Sequence, residues 1–187
     1  MDNISKNNFR KICNMKHKKF NEMFKLNLNK KIQKTIKKII LKRRCKSILL
    51  YLPLKQEADL KQLIRWLRIN KYNVFVPYMI SKNQFKIVPY RLPLKKKKYN
   101  IYEPSFSNFK NKIKLDLAIV PIIGYDDTFR RVGFGVGFYD RFFNSLDYKP
   151  YTIFTQLCDC KSKSMITNDY DVKAEIIINN KGIKWRK

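Results

Sequence analysis

Three of the chain's five glycines stand at alternate positions in one run, Arg131-Val132-Gly133-Phe134-Gly135-Val136-Gly137-Phe138-Tyr139-Asp140-Arg141. The run follows a largely apolar stretch, Leu115 to Pro121, which reads as a buried strand, and a polar turn at Asp126-Asp127. A helix over Phe138 to Leu146 follows, so this part of the chain reads strand, glycine-rich loop, helix. Glycine lets the backbone approach a ligand closely and reach dihedrals closed to other residues. Exposed amides in such a loop can hold an anionic phosphate. Arg131 and Arg141 add positive charge, and Asp140 offers hard carboxylate oxygens suited to Mg²⁺. The run has no Gly-Lys-Ser/Thr of a Walker A loop, and its alternating glycines do not match the dinucleotide fingerprint. On glycine spacing alone, a structural turn and a phosphate site stand level.

The rest of the chain supplies a frame for this segment. Residues 4–44 hold no proline or glycine and place Ile12, Met15, Phe20, Met23, Phe24, Leu28, Ile32, Ile36, Ile39 and Ile40 at helical intervals. They predict one or two amphipathic helices, with a break near Asn27 to Asn29. Strands are expected over Ser47 to Leu52, Asn73 to Pro77, Gln84 to Val88, Tyr151 to Thr155 and Glu175 to Ile178, with a helix over Glu57 to Ile69. Pro89 to Lys114 is polar and dotted with proline, which predicts mostly loop. Strands alternating with helices imply a three-layer αβα sandwich with a mainly parallel central sheet and an N-terminal helical segment. One domain over residues 1–187 is expected, and a monomer is the default.

The formal net charge is +28. Such a charge draws polyanions at low salt, which makes nucleic acid a rival partner, with Tyr72, Phe75, Tyr78 and Phe85 as interleaved aromatics. The lysines are spread over almost the whole chain, however, and a run such as Lys95 to Lys98 reads as an exposed loop, so no obligate nucleic acid is expected. No apolar stretch reaches the roughly 20 residues needed to span a bilayer, and the N-terminus lacks the apolar core of a secretory signal. A cytoplasmic protein with no membrane partner is the expectation. Cys13, Cys45, Cys158 and Cys160 form no C-x-x-C pair, and the single His17 lies far from Cys158 in sequence. Zinc is therefore not indicated, and free thiols in a reducing compartment are expected.

Taken together, Asp116-Leu117-Ala118-Ile119-Val120-Pro121 and the glycine run through Phe142 resemble the hallmark segment of the 5-formyltetrahydrofolate cyclo-ligase family. The resemblance extends along nearly the whole chain. Lys6-Asn7-Asn8-Phe9-Arg10 is similar to the family's amino-terminal Lys-x-x-x-Arg, and Tyr51-Leu52 through Glu57-Ala58-Asp59 to its first strand and acidic turn. Tyr99-Asn100-Ile101-Tyr102-Glu103-Pro104 is similar to its Gly-Ile-x-Glu-Pro segment, and Asp171 falls where an aspartate precedes the final strand. Two departures stand out: Asn100 replaces a glycine, and Val136 occupies a position where a smaller or cationic residue is common.

The resemblance implies an ATP- and Mg²⁺-dependent ring closure of 5-formyltetrahydrofolate to 5,10-methenyltetrahydrofolate. Carried over by position, Lys6 and Arg10 would clasp ATP phosphates, joined by Arg131, Val132, Gly133, Phe134, Gly135, Val136, Gly137, Phe138 and Tyr139. Arg131, Gly133, Phe134, Gly135 and Tyr139 would flank the transferring group. Leu52, Glu57 and the stretch Phe134, Gly135, Val136, Gly137 and Phe138 would contact the folate, and Asp140 and Asp171 would hold Mg²⁺. Each residue also has a plainer reading: Lys6 and Arg10 as solvated helix charges, Glu57 as a helix-start residue, Asp140 as a surface ion-pair partner, Asp171 as a turn residue, and the aromatics as core. A relative that binds folate without catalysis is the other alternative.

Overall fold

A computed structural model describes residues 5–97, 102–105 and 113–186. Its centre is a seven-stranded sheet in the order β11-β10-β9-β6-β1-β2-β3. The strands are β1 Ser47–Leu49, β2 Asn73–Met79, β3 Phe85–Pro89, β6 Leu117–Pro121, β9 Tyr151–Thr155, β10 Ile176–Asn179 and β11 Gly182–Trp185. The five inner strands run parallel, and β3 and β11 close the two edges antiparallel. Two small hairpins stand apart, β4 Leu94–Lys96 with β5 Tyr102–Pro104 and β7 Gly124–Tyr125 with β8 Arg131–Val132. The helices are α1 Lys6–Lys18, α2 Glu22–Arg43, α3 Lys61–Ile69 and α4 Phe138–Asn144.

Strand alternation sorts the core into two layers, because successive side chains point to opposite faces of a sheet. Ile48, Leu117, Ile119, Ile176 and Ile178 pack on one face with Ile32, Ile36 and Ile40 of α2 and Leu63, Ile64 and Leu67 of α3. Leu49, Ala118, Val120, Phe154 and Ile177 face the other way, where Tyr139, Phe142 and Phe143 of α4 cover them. This is the three-layer α/β arrangement expected from the sequence. Among the described residues, no helix is long and apolar enough to cross a membrane.

Several local expectations need correction. The helical segment breaks at Lys19 to Asn21 rather than at Asn27 to Asn29, because the Asn21 side chain accepts the Phe24 N–H (2.8 Å) and caps α2. Asn29 instead lies within α2 and accepts the Asp59 N–H (3.0 Å), while Gln33 accepts that of Leu63 (2.6 Å). These amides stand at the start of α3, whose N-cap residue Leu60 offers no capping side chain, although Asp59 Oδ1 accepts the Lys61 N–H at 2.8 Å. Helix α3 begins at Lys61, not Glu57, since Leu54 to Glu57 close into a turn through Glu57 N–H to the Leu54 carbonyl (3.0 Å). The expected loop after Pro89 contains the β4–β5 hairpin, held by the fully buried Glu103, whose Oε1 accepts the Met79 N–H at 3.1 Å. Lys98, Tyr99, Asn100 and Ile101 lie outside the described residues.

The cysteines give the largest correction. Cys13 and Cys160 form a disulfide across 147 residues, while Cys45 and Cys158 are free and buried. The bridge sits in a small apolar cluster with Phe9, Ile123 and Val132, which fixes α1 against the β7–β8 hairpin. The spacing of cysteines in sequence holds no information about such a distant pairing.

Candidate active site

The carboxyl ends of β1, β2 and β6 open on one side of the sheet, the usual place for ligands in an α/β layer fold. A cavity of about 210 Å³ lies there. The turn after β1 provides one wall with Tyr51, Leu52, Leu54 and Glu57; Pro77, Met79, Phe85 and Tyr102 form a second. Arg131 and the stretch Phe134, Val136, Gly137, Phe138 and Tyr139 form the third. At the mouth, Tyr102, Phe134 and Val136 are 50%, 44% and 39% exposed, so apolar and aromatic side chains face solvent there.

The turn wall is largely apolar, with one carboxyl. Tyr51 is buried, donates to the Ala58 carbonyl (2.7 Å) and shares a hydrogen bond with Thr155 Oγ1 (2.9 Å). Glu57 Oε2 accepts the Leu54 N–H at 2.8 Å. Burial pushes the Glu57 carboxyl up to about 7, against the single backbone donor that favours its charge. Tyr139 faces it, with its phenol pushed upward by burial and by the Glu57 charge. The Tyr139 ring meets Phe85 edge-on at 5.2 Å and lies 5.3 Å from the Arg131 guanidinium.

The glycine wall is built from charge. Arg131 is buried and grips Asp140 with a two-point fork, Nε to Oδ1 at 2.9 Å and Nη2 to Oδ2 at 2.7 Å. A Cβ at Gly133 would stand 2.5 Å from Arg131 Nη1, so the loop passes this guanidinium only because the residue there is glycine. Arg10 reaches across from α1 and donates from Nε to the Gly133 carbonyl (2.7 Å). Lys6, one turn earlier, donates to Asp171 Oδ2 at 2.6 Å, and the same oxygen accepts the Asn168 N–H (2.7 Å). Asp140 Oδ1 also accepts the N–H of Val172, the residue after Asp171 (3.1 Å).

A separate carboxylate holds the approach to this wall. Asp126 is fully buried and accepts from Thr128 and Thr167 and from the Ile166 and Thr167 amides. Those bonds hold its carboxyl below the usual range despite burial, and they fix the turn leading to Arg131.

A family model for 5-formyltetrahydrofolate cyclo-ligases matches residues 3–179. The chain belongs to that family. Among its relatives, the 5-formyltetrahydrofolate cyclo-ligase of Mycoplasma genitalium is 25% identical over 179 residues, 95% of this chain and 99% of the relative. That of Haemophilus influenzae is 28% identical over 142 residues, 72% and 75% of the two chains. A solved 5,10-methenyltetrahydrofolate synthetase from Mycoplasma pneumoniae superposes with a TM-score of 0.73 at 25% identity, covering 94% of this chain and 98% of that one. The synthetase of Aquifex aeolicus, at 22% identity and a TM-score of 0.81, shares the fold over 96% and 92% of the two chains.

Most residues carried over from the cyclo-ligase resemblance come together around this cavity. Leu52, Glu57, Arg131, Phe134, Val136, Gly137, Phe138 and Tyr139 line it. Lys6, Arg10, Asp140 and Asp171 join the network behind the glycine wall. Gly135, at φ +106°, lies beside Arg10. Val132 differs: its side chain packs into the cluster around the disulfide, and its carbonyl accepts the Ile123 N–H (3.0 Å). Sequence reading missed Tyr51, Leu54, Pro77, Met79, Phe85, Tyr102 and Pro121 as cavity residues. Most are apolar or aromatic residues at strand ends or in the turn after β1, where nothing in their own chemistry marks a site.

Asp140 and Asp171 are not bare carboxylates, since each is paired to a cation. Among the described residues, no group of three or more His, Cys, Asp and Glu could hold a metal ion. Two aspartates beside a glycine-rich loop nevertheless fit Mg²⁺, which usually takes one or two carboxylates and completes its octahedron with other oxygens such as phosphate and water.

Proposed function

We propose that this cyclo-ligase family member closes 5-formyltetrahydrofolate to 5,10-methenyltetrahydrofolate with consumption of ATP, releasing ADP and phosphate. The observation that supports this most is that the arginine-rich glycine loop and the largely apolar Glu57 turn open on the same cavity. One wall suits a phosphate chain and the other a pterin ring.

In the reaction, the formyl oxygen attacks the γ-phosphorus and ADP leaves. The N10 nitrogen then attacks the activated formyl carbon, N10 gives up its proton, and phosphate departs with the former formyl oxygen. An amide-like oxygen leaves poorly, and its phosphorylation removes that obstacle. The enzyme's share is positioning and charge neutralisation. Arg131 and the loop amides hold the phosphate next to the formyl oxygen, with Lys6 and Arg10 behind them. Leu52 and Tyr139 border the ring system, and Glu57 accepts hydrogen bonds from its N–H donors. Bound Mg²⁺ at Asp140 and Asp171 would neutralise β- and γ-phosphate oxygens.

The two ion pairs have a consequence for binding. Arg131 with Asp140, and Lys6 with Asp171, neutralise each other in the free protein. When nucleotide and metal arrive together, the cations turn to phosphate and the carboxylates to Mg²⁺, and no charge is left without a partner. Either ligand alone would strand one half of each pair.

The deciding experiment follows the methenyl absorbance band with purified protein, 5-formyltetrahydrofolate and Mg²⁺, with and without ATP, while ADP is assayed in parallel. The expected result is an ATP-dependent rise with matching ADP. Folate binding with neither product would replace the proposal with a non-catalytic relative.

A further inference from the structure

In sequence, Arg141 contributes only a positive charge beside the glycine run. In the fold it does something more specific. Its Nε donates to the Asn83 carbonyl at 2.7 Å, and its Nη2 donates to the Val136 carbonyl. One planar group thus ties the glycine loop to the turn between β2 and β3, the two strands that supply Pro77, Met79 and Phe85 to the cavity. We propose that Arg141 is a positioning residue that sets the orientation of the glycine loop for its phosphate ligand, an inference that rests on the nucleotide role assigned to that loop.

Three observations support it. In a trans peptide the carbonyl and the following N–H point in opposite directions. Holding the Val136 carbonyl on the Arg141 side therefore turns the Gly137 N–H to the other side. Arg10 treats the Gly133 carbonyl in the same way (2.7 Å), so two arginines on different elements hold two carbonyls of one loop. Second, Gly137 has φ +72°, in the left-handed region, and a Cβ there would lie 3.2 Å from Arg141 Nη1. The left-handed backbone at Gly137 and the guanidinium thus sit against each other. Third, among the described residues Arg141 has no carboxylate within ion-pair distance, whereas Arg131 is spent on Asp140. Its charge stays available to the field that a phosphate group meets.

Arginine rather than lysine is required because two carbonyls must be met in one plane. A lysine ammonium is a point charge on a flexible stem and holds neither acceptor in a fixed direction. Helix α4 keeps the base of the side chain in place independently, since Phe142 stacks on Phe85 with centroids 4.8 Å apart. Loss of the guanidinium should therefore loosen the loop without unfolding the layer.

The test is calorimetric titration of wild type, Arg141→Lys and Arg141→Met with ADP plus Mg²⁺, and separately with 5-formyltetrahydrofolate, alongside thermal melts. The expected result is ADP affinity weakened about tenfold in Arg141→Lys and further in Arg141→Met, with folate affinity changed less than about twofold. If Arg141→Met does not fold, Arg141→Lys, which keeps the charge, decides the matter. Equal weakening of both ligands, or ADP affinity unchanged in Arg141→Lys, overturns the positioning role and leaves the nucleotide reading intact. A wild-type protein that binds no ADP overturns both.

Discussion

The two principal walls of the cavity are made by opposite physical means. The turn from Tyr51 to Glu57 offers the cavity a largely apolar face: a buried phenol, two leucines and one carboxyl lifted to about 7 by burial, with Lys55 and Gln56 exposed to solvent. The glycine wall gathers two ion pairs, Lys6 with Asp171 and Arg131 with Asp140, and two arginines, Arg10 and Arg141, that donate to loop carbonyls. In the first wall desolvation sets the protonation of a single group. In the second, opposite charges are paired directly, Arg131 with Asp140 and Lys6 with Asp171. The contrast suits the two ligand chemistries proposed above, a flat ring with N–H donors and a chain of phosphates, and under that proposal substitutions on the two walls should separate cleanly.

The largest effect is expected at Arg131. Replacing it by Met leaves the Asp140 carboxylate largely buried without its cation and should lower stability by about 3–5 kcal/mol. Denaturant titration measures this, and a loss below about 1 kcal/mol would mean that the glycine wall is not held by charge. Next is the disulfide. Reduction, or Cys13→Ser, cuts the covalent tie between α1 and the loop after β9 and should cost about 2–4 kcal/mol. Because α1 carries Lys6 and Arg10, nucleotide KM should rise while folate KM stays put. Equal shifts in both would erase the distinction between the walls.

Glu57 tests the apolar wall. Its folded-state value, about 7, lies above the ordinary 4.5, so the fold favours the neutral acid. That contribution is complete below pH 4.5 and disappears as pH rises through 7. Glu57→Gln keeps an acceptor for the Leu54 N–H and escapes this loss. It should match wild type at pH 5 and exceed it at pH 8 by on the order of 1–3 kcal/mol, read as a Tm difference. The same variant should raise folate KM about tenfold and leave ATP KM alone. A Tm gap that does not change with pH would remove the titration from Glu57.

The smallest expected effect is on linkage. In wild type, ADP and Mg²⁺ should each bind more tightly in the presence of the other. Asp140→Asn, which can no longer exchange Arg131 for a metal, should reduce that coupling by about tenfold. Coupling that is unchanged in the variant would place Mg²⁺ away from Asp140.

Much of this was legible in sequence because the relevant code is local. The alternation of Leu117 and Ile119 against Ala118 and Val120 assigns both faces of β6 before any partner is known. The glycines at 133, 135 and 137 marked the loop, and ordered motifs placed Lys6, Arg10 and Glu57 near it. Weak local signals failed in predictable places. Strand β11 has only four residues, three of them Gly182, Lys184 and Trp185, and it exists because β10 offers an unpaired edge. The β4–β5 hairpin reads as loop because the buried Glu103 that holds it looks like a surface residue.

By itself, the sequence determined most of the central strands and their covering helices, which faces they bury, and which loop gathers the glycines. These follow from periodicities of two and about 3.6 residues and from the steric freedom of glycine. Only the tertiary structure decided that Lys6 meets Asp171 across 165 residues and that Cys13 meets Cys160 across 147. The same holds for Arg141 spending its guanidinium on two carbonyls and for Glu57 losing its water. Those outcomes depend on where the chain returns in space. A residue's charge is written in its own side chain, but its partner and its solvation are set by whatever the fold brings beside it.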